Sequence, residues 1–252
     1  MESAIWRLGT GGGKENMIYT LTRIDEADYG CEERAVIFDM YETLITLYRA
    51  PLYFGSQIAA DAGIPEDQFL GPWRQAEGDR TTGKITLEEL IEKILREHNR
   101  YSEEMLHYIV AKRIQSREEA FAHLDPGILP LLNALKDRGI RIGLISNCYS
   151  EEAAVIRKSI LYPYFDGVCM SYEEGVQKPD PEIFRRCLDR LQVSPAKCLY
   201  VGDGGSHELE AAKKAGIRAV QALWYLKENP RPFERKRGFA QAETPAEILN
   251  WI

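Results

Sequence analysis

The stretch Ala35-Val36-Ile37-Phe38-Asp39-Met40-Tyr41-Glu42-Thr43-Leu44 is the strongest constraint on how this chain folds. Four apolar residues in succession, two of them β-branched, read as a strand buried on both faces, as in the interior of a parallel sheet. A carboxylate stands at the C-terminal end of that strand. In an open α/β sheet the ligand crevice lies outside the carboxyl ends of the strands, which puts Asp39 in the cleft. Taken alone, an Asp after a strand more often just caps a turn. The rest of the chain must decide.

From Asp125 onward, strands and helices alternate strictly. Asp125-Pro126 opens a helix that Gly139 ends, and Ile140 to Ser146 is a second buried strand. Ser150 opens the next helix, Gly167 to Ser171 is a short strand, and Asp180-Pro181 starts a helix reaching Arg190. Cys198 to Val201 is a strand, Ser206 to Ala215 a helix, Ile217 to Ala222 a last strand, and Thr244-Pro245 opens a final helix. Alternation at this spacing predicts an α/β fold, a doubly wound parallel sheet with right-handed crossovers.

Between the first strand and this region the pattern is helical. Thr86 with Glu89 is a capping box for a helix carrying Leu87, Leu90, Ile91, Ile94 and Leu95 on one face. Ser102 caps another, with Leu106, Ile109, Val110 and Ile114 at helical spacing, and Gly63-Ile64-Pro65 and Thr81-Thr82-Gly83 break the segments. The expected organisation is an α/β core of residues 34–49 and 121–252, a helical block of residues 50–120 inserted as a cap, and an N-terminal extension of residues 1–33. Within that extension Gly9 to Lys14 only superficially resembles a phosphate loop and reads as a flexible leader; Met17 to Ile24 alternates well enough for an edge strand or hairpin arm.

Composition excludes several function classes. A net charge of -7 argues against a general nucleic-acid binder, and the basic run from Lys227 to Arg237 reads as a solvated loop. No apolar run approaches the ~20 residues of a membrane span, and no secretory signal is evident. The five cysteines form no CxxC pair, so neither a thiolate metal site nor a disulfide framework is expected. A reduced, cytoplasmic enzyme is the plain expectation.

Each buried strand ends on a useful polar group: Asp39, then Ser146-Asn147, then Gly202-Asp203-Gly204-Gly205-Ser206, with Lys178 just before a capped helix. Parallel strands present these ends on one edge, where carboxylates, a hydroxyl and an ammonium converge. Such a set suits a divalent cation with an anionic group. Singly, each is an ordinary turn or surface residue; jointly, they favour a functional site.

On these residues the chain resembles the haloacid dehalogenase superfamily. Its four motifs match at Phe38 to Leu44, Leu144-Ile145-Ser146-Asn147, Lys178-Pro179-Asp180-Pro181 and Tyr200-Val201-Gly202-Asp203, and the helical insert is similar to that family's type C1 cap. The resemblance implies a hydrolase in which Asp39 is the nucleophile and passes through a covalent aspartyl intermediate. It implies that Ser146 and Asn147 bind the transferring group, that Thr43 supports the loop, and that Lys178 neutralises charge on nucleophile and substrate. It also implies Mg²⁺ on Asp39, Asp203 and the Tyr41 main-chain carbonyl. Charge neutralisation of this kind is what a carboxylate attacking a phosphoryl dianion needs.

Two features pull apart. Tyr41 stands where phosphatases of the family carry a second Asp as leaving-group acid; Asp-x-Tyr is the pattern of the 2-haloacid dehalogenases, whose halide needs no proton. Glu42 also replaces the usual glycine. Against this, Gly202-Asp203 is the phosphatase-like pair, and Glu208 beyond it is either a carboxylate near the metal or simply a favourable acid in a first helical turn. The expected function is therefore a Mg²⁺-dependent phosphatase acting on a small anionic phosphate ester. A metal-free carbon–halide hydrolase acting on haloacids is the alternative, and a non-catalytic binding protein on the same scaffold the third reading. Arg74, Arg80 and Lys84 in the cap read as solvated surface by default, any one of them a potential substrate contact.

Overall fold

In the computed structural model, residues 34–226, 228 and 234–252 are described. The expectations for residues 1–33, and for most of the segment 227–233, lie outside them. The first strand, β1 (Ala35–Phe38), is the anticipated buried run. Helices α1 (Gly55–Ala62), α2 (Glu66–Gln75), α3 (Glu77–Thr81), α4 (Leu87–Glu97) and α5 (Glu103–Ala122) follow it. Then come α6 (Ile128–Asp137), β2 (Arg141–Ser146), α7 (Ser150–Lys158), β3 (Gly167–Met170), α8 (Ser171–Glu174), α9 (Pro181–Leu191), β4 (Cys198–Gly202), α10 (Glu208–Lys214), β5 (Arg218–Ala222) and β6 (Ala240–Ala242).

Among the described residues the sheet is six-stranded and parallel, in the order β3-β2-β1-β4-β5-β6. β1 lies between β2 and β4, with Ala35 opposite both Arg141 and Cys198, so chain direction reverses its order on either side of β1. That is the switch point at which an open sheet leaves a crevice. Alternate side chains of β1 serve opposite faces. Val36 and Phe38 pack with α6 and α7 through Leu131, Leu135 and Ile156, whereas Ala35 and Ile37 pack with α9 and α10 through Phe184, Leu191 and Leu209. The apolar run is explained: both faces are covered.

The local signals at helix starts act as chemistry requires. Thr86 accepts from the Glu89 main chain while Glu89 reaches back to the Thr86 N–H, and Asp180 caps α9 with Pro181 in the first turn. Asp125 does not cap α6 itself. Its Oδ1 accepts the Gly127 N–H at 2.9 Å, and the helix begins two residues later than the Asp–Pro pair suggests. The strand expected to be last is followed by β6, whose Ala-Gln-Ala sequence carries no β-branched or aromatic signal. The final helix is of 3₁₀ type, Pro245–Trp251.

The helices after β1 have an apolar cluster of their own, centred on Ile58, Phe69, Leu90, Ile91, Ile94 and Ile109. Helix α5 joins it to the sheet: Ile109 is in that cluster, and Ala120 and Phe121 lie in the cluster beneath β1. Among the described residues no helix is long and apolar enough to cross a membrane.

Candidate active site

Asp39 leaves β1 at its C-terminal end, its N–H donating to the Val201 carbonyl at 2.9 Å, and its side chain is buried. The chain then turns sharply. Glu42 takes a φ of 58°, the left-handed conformation that glycine adopts without strain. Its carboxylate makes the turn tenable for a side chain by accepting Thr46 Oγ1 at 2.7 Å and the Leu47 N–H at 3.2 Å. Trp224 Nε1 donates to the Thr43 carbonyl at 2.7 Å and ties down the far end of the loop. The hydroxyls of Tyr41, Thr43 and Ser146 are buried with no partner among the described residues. Unpartnered buried hydroxyls are rare in folded interiors and favour a site that takes a polar ligand.

Lys178 is the centre of the charged group. Its Nζ lies 2.5 Å from Asp39 Oδ1, 2.5 Å from Glu208 Oε2 and 3.2 Å from Tyr200 Oη, and the side chain is only 2% exposed. Its main chain is held by Asn147, whose Oδ1 accepts the Lys178 N–H at 2.8 Å while Nδ2 donates to the Lys178 carbonyl at 3.0 Å. That pair of bonds sets the loop that carries the ammonium, and both polar atoms of the Asn147 amide are engaged in it. Tyr200 comes from the middle of β4 and donates to Glu208 Oε2 at 2.7 Å.

Asp203 follows β4, its Oδ1 accepting the Gly205 N–H at 2.9 Å. Glu208 is 1% exposed and also accepts the Gly204 N–H at 3.1 Å, so the acid in the first turn of α10 points inward, not to solvent. Gly202 makes room for it: a Cβ there would stand 2.1 Å from Glu208 Oε1. His207, by contrast, is exposed, as is Ser206.

Asp39, Asp203 and Glu208 each offer a carboxylate oxygen, all within 4.8 Å of one another. The electrostatics follow from that crowding. Burial, then repulsion from Glu208, pushes Asp39 up to about 7, with Lys178 opposing both. Asp203 is held well above the carboxylate range by burial and by its two acidic neighbours. Burial works against the Lys178 ammonium, yet Asp39 and Glu208 together outweigh it and keep the group charged above the usual lysine range. Three carboxylates share one ammonium. The uncompensated charge and the all-oxygen donor set fit a hard divalent cation.

The strand-end residues expected from the sequence therefore converge, with Asp39, Asp203 and Lys178 in one group and Asn147 supporting it. Tyr200 had no assigned role in the sequence; the signal was a tyrosine in a strand buried on both faces, whose hydroxyl must find a partner. Arg80 was expected on a solvated surface. It is 2% exposed, stacked between Trp73 and Tyr149 with its Nη2 3.3 Å from Glu151 Oε1.

Residues 33–216 match the family described as haloacid dehalogenase-like hydrolase. A glyceraldehyde 3-phosphate phosphatase of Methanopyrus kandleri is 29% identical over 150 residues, which span 57% of this chain and 64% of that relative, just under two thirds of its length. A phosphorylated carbohydrates phosphatase of Thermotoga maritima is 29% identical over 223 residues, covering 86% of this chain and 96% of its own. Among solved structures, a 2-haloacid dehalogenase from Pseudomonas syringae superposes with a TM-score of 0.63 at 20% identity over 87% of this chain and 100% of that one, a likeness of fold. The chain belongs to the haloacid dehalogenase-like hydrolases.

Proposed function

We propose that the protein is a Mg²⁺-dependent phosphatase acting on a small phosphorylated metabolite, with Asp39 as nucleophile and the helices of residues 50–120 as a cap over the cleft. The observation that carries this reading is the gathering of Asp39, Asp203 and Glu208 within 4.8 Å of one another around a single buried lysine. A metal-free displacement has no use for Asp203, and leaving it half-buried among like charges is costly. The phosphatase names of the relatives from Methanopyrus kandleri and Thermotoga maritima support the same reading.

In this account an Asp39 carboxylate oxygen attacks phosphorus, the bond from phosphorus to the ester oxygen breaks, and an aspartyl phosphate forms. Water then attacks phosphorus, releasing phosphate and regenerating the Asp39 carboxylate. Lys178 remains protonated throughout and offsets charge on Asp39 and on the incoming group. Ser146 and Thr43 donate their unpartnered hydroxyls to phosphoryl oxygens, and Asn147 keeps the Lys178 loop in place. Asp39, Asp203 and the Tyr41 carbonyl are the proposed ligands of Mg²⁺, which when bound neutralises the dianion against its nucleophile. Glu208 and Tyr200 orient Lys178.

One observation favours the carbon–halide reading: Tyr41 occupies the leaving-group acid's position, and burial followed by the Glu152 charge holds its hydroxyl well above the ordinary phenol range. The deciding experiment is hydrolysis of a panel of phosphate monoesters and 2-haloacids with Mg²⁺ and with chelator. Mg²⁺-dependent phosphate release is expected. Halide release in chelator, without phosphate release, contradicts the proposal.

A further inference from the structure

A second buried charge cluster lies between the cap helices and α7, and the chemistry above does not use it. Arg80, Arg113 and Arg117 are 2%, 2% and 1% exposed, and Glu151 and Glu152 are 3% and 5% exposed. Arg113 spans the two acids, with Nε 3.0 Å from Glu151 Oε1 and Nη2 3.2 Å from Glu152 Oε1. Arg117 Nε meets Glu152 Oε1 at 3.0 Å, and Arg80 Nη2 meets Glu151 Oε1 at 3.3 Å. Three guanidiniums face two carboxylates, which leaves one positive charge in excess.

That excess cannot be relieved by titration, because arginine does not give up its proton in proteins. Two donors of the cluster, Arg80 Nε and Arg117 Nη2, are buried and without a partner among the described residues, as is the Tyr41 hydroxyl. The Arg80 guanidinium lies 3.9 Å from the Trp73 ring centroid and 3.8 Å from that of Tyr149, which fixes its plane. A buried positive excess with oriented, unused N–H groups is an anion site in want of its anion.

Its location ties it to the reaction. Tyr149, Glu151 and Glu152 follow Ser146 and Asn147 on the loop and helix start that leave the C-terminal end of β2, the sheet edge on which Asp39 lies. We infer that this cluster is a second anion subsite, which reads a carboxylate on the part of the substrate leaving with the ester oxygen, and that Arg80 is the residue that determines this specificity. The excess of one positive charge matches a carboxylate and is too small for a second phosphate dianion. The inference rests on the phosphatase reading for its substrate class, a phosphorylated hydroxy acid; a 2-haloacid carries the same carboxylate and is the other source of this chemistry.

The test compares isosteric pairs with the whole 252-residue chain. The kcat/KM values for 2-phosphoglycolate and for its uncharged amide are measured with Mg²⁺ in wild type, Arg80→Gln, Arg80→Lys and Arg74→Gln, the last an exposed cap arginine outside the cluster. Binding of phosphonoacetate and of its amide is measured by calorimetry. Wild type is expected to prefer the carboxylate by at least about tenfold in both assays, roughly one charge-assisted hydrogen bond. Arg80→Gln collapses the ratio to about twofold or less, Arg80→Lys retains part of it, and Arg74→Gln keeps it. The ratio is the readout, because loss of a merely structural tie lowers both substrates alike. Equal handling of acid and amide by wild type overturns the subsite, as does an Arg80→Gln variant that loses both equally. Should Arg80→Gln not fold, the wild-type preference and the Arg80→Lys ratio decide in the same directions. If neither ester is hydrolysed but phosphonoacetate outbinds its amide, the subsite stands and the phosphatase reading falls; halide release from a 2-haloacid in chelator then names the other source.

Discussion

Lys178 Nζ lies 2.5 Å from Glu208 Oε2, and the same carboxylate accepts the Tyr200 hydroxyl at 2.7 Å, so a residue in the first turn of α10 fixes the ammonium that faces Asp39. Glu208→Gln keeps the shape and removes the charge. Because partners that orient a metal or nucleophile site typically contribute about 10–100-fold, turnover at saturating Mg²⁺ is expected to fall by that order and the Mg²⁺ half-saturation to rise. A Mg²⁺ titration of activity checks it. An unchanged titration curve and turnover would remove Glu208 from the account.

Gly202 tests the same arrangement through space instead of charge. Gly202→Ala places a methyl group 2.1 Å from Glu208 Oε1, so the carboxylate must leave its position. The expected cost is about 1–3 kcal/mol of stability from overpacking, together with loss of most turnover. Gly78→Ala is the control: it lies inside α3 with nothing among the described residues within 4 Å of the added atom, and is expected to be neutral or to stabilise by up to ~1 kcal/mol. Urea denaturation of the two variants distinguishes a steric effect at one glycine from a general intolerance.

The Glu152 carboxyl gives a pH dependence with a definite sign. Burial raises it from 4.5 to about 7, so between those values the unfolded chain ionises first and binds fewer protons than the folded one. Stability from this group is therefore highest at low pH, declines as pH rises through that window, and has reached its floor above about 7. Glu152→Gln, which mimics the protonated form, is expected to be less stable overall through loss of the Arg113 and Arg117 partners, yet to lose less stability than wild type between about pH 5 and 7.5. Parallel urea midpoints across that range, rather than diverging ones, would contradict the assignment.

Tyr41 predicts a substrate preference. On the proposed phosphatase mechanism, a buried hydroxyl with no partner among the described residues stands in the place of an acid, and the leaving group is expected to depart largely unprotonated. A positioned acid contributes about 10²–10⁴ in rate, so alkyl phosphates are expected to be poorer substrates than aryl or acyl phosphates by that order. Tyr41→Asp is expected to raise alkyl phosphate turnover selectively. The measurement is kcat/KM against leaving-group pKa; a flat wild-type dependence with chemistry rate-limiting shows that another residue gives the proton.

The sheet edge that carries the candidate site was legible in the sequence because each element announces itself locally. A run such as Val36-Ile37-Phe38 fits only a strand covered on both faces, and the carboxyl ends of parallel strands must share an edge. Glu208 and Tyr200 were half-legible: their polar atoms need partners, but an acid in a first helical turn is equally at home in solvent. The arginine cluster was not legible. Arg80 meets Glu151 across 71 positions of sequence and Arg113 meets Glu151 across 38, and nothing local to an isolated arginine reports that a distant helix will cover it. The strand β6 escaped for a different reason, since Ala240-Gln241-Ala242 pairs with β5 through its backbone alone in the absence of strand-forming side chains.

The central claim is that phosphoryl groups pass through Asp39. Its most direct test is to quench the enzyme with acid during steady turnover of an aryl phosphate with Mg²⁺, reduce with borohydride, and sequence the peptide that contains residue 39 by mass spectrometry. An aspartyl phosphate is reduced to homoserine, so homoserine at position 39, dependent on both substrate and Mg²⁺, is the predicted result. Unmodified Asp39 in every sample, with phosphate released at an undiminished rate and its breakdown shown to be slow enough for the intermediate to accumulate, would contradict it.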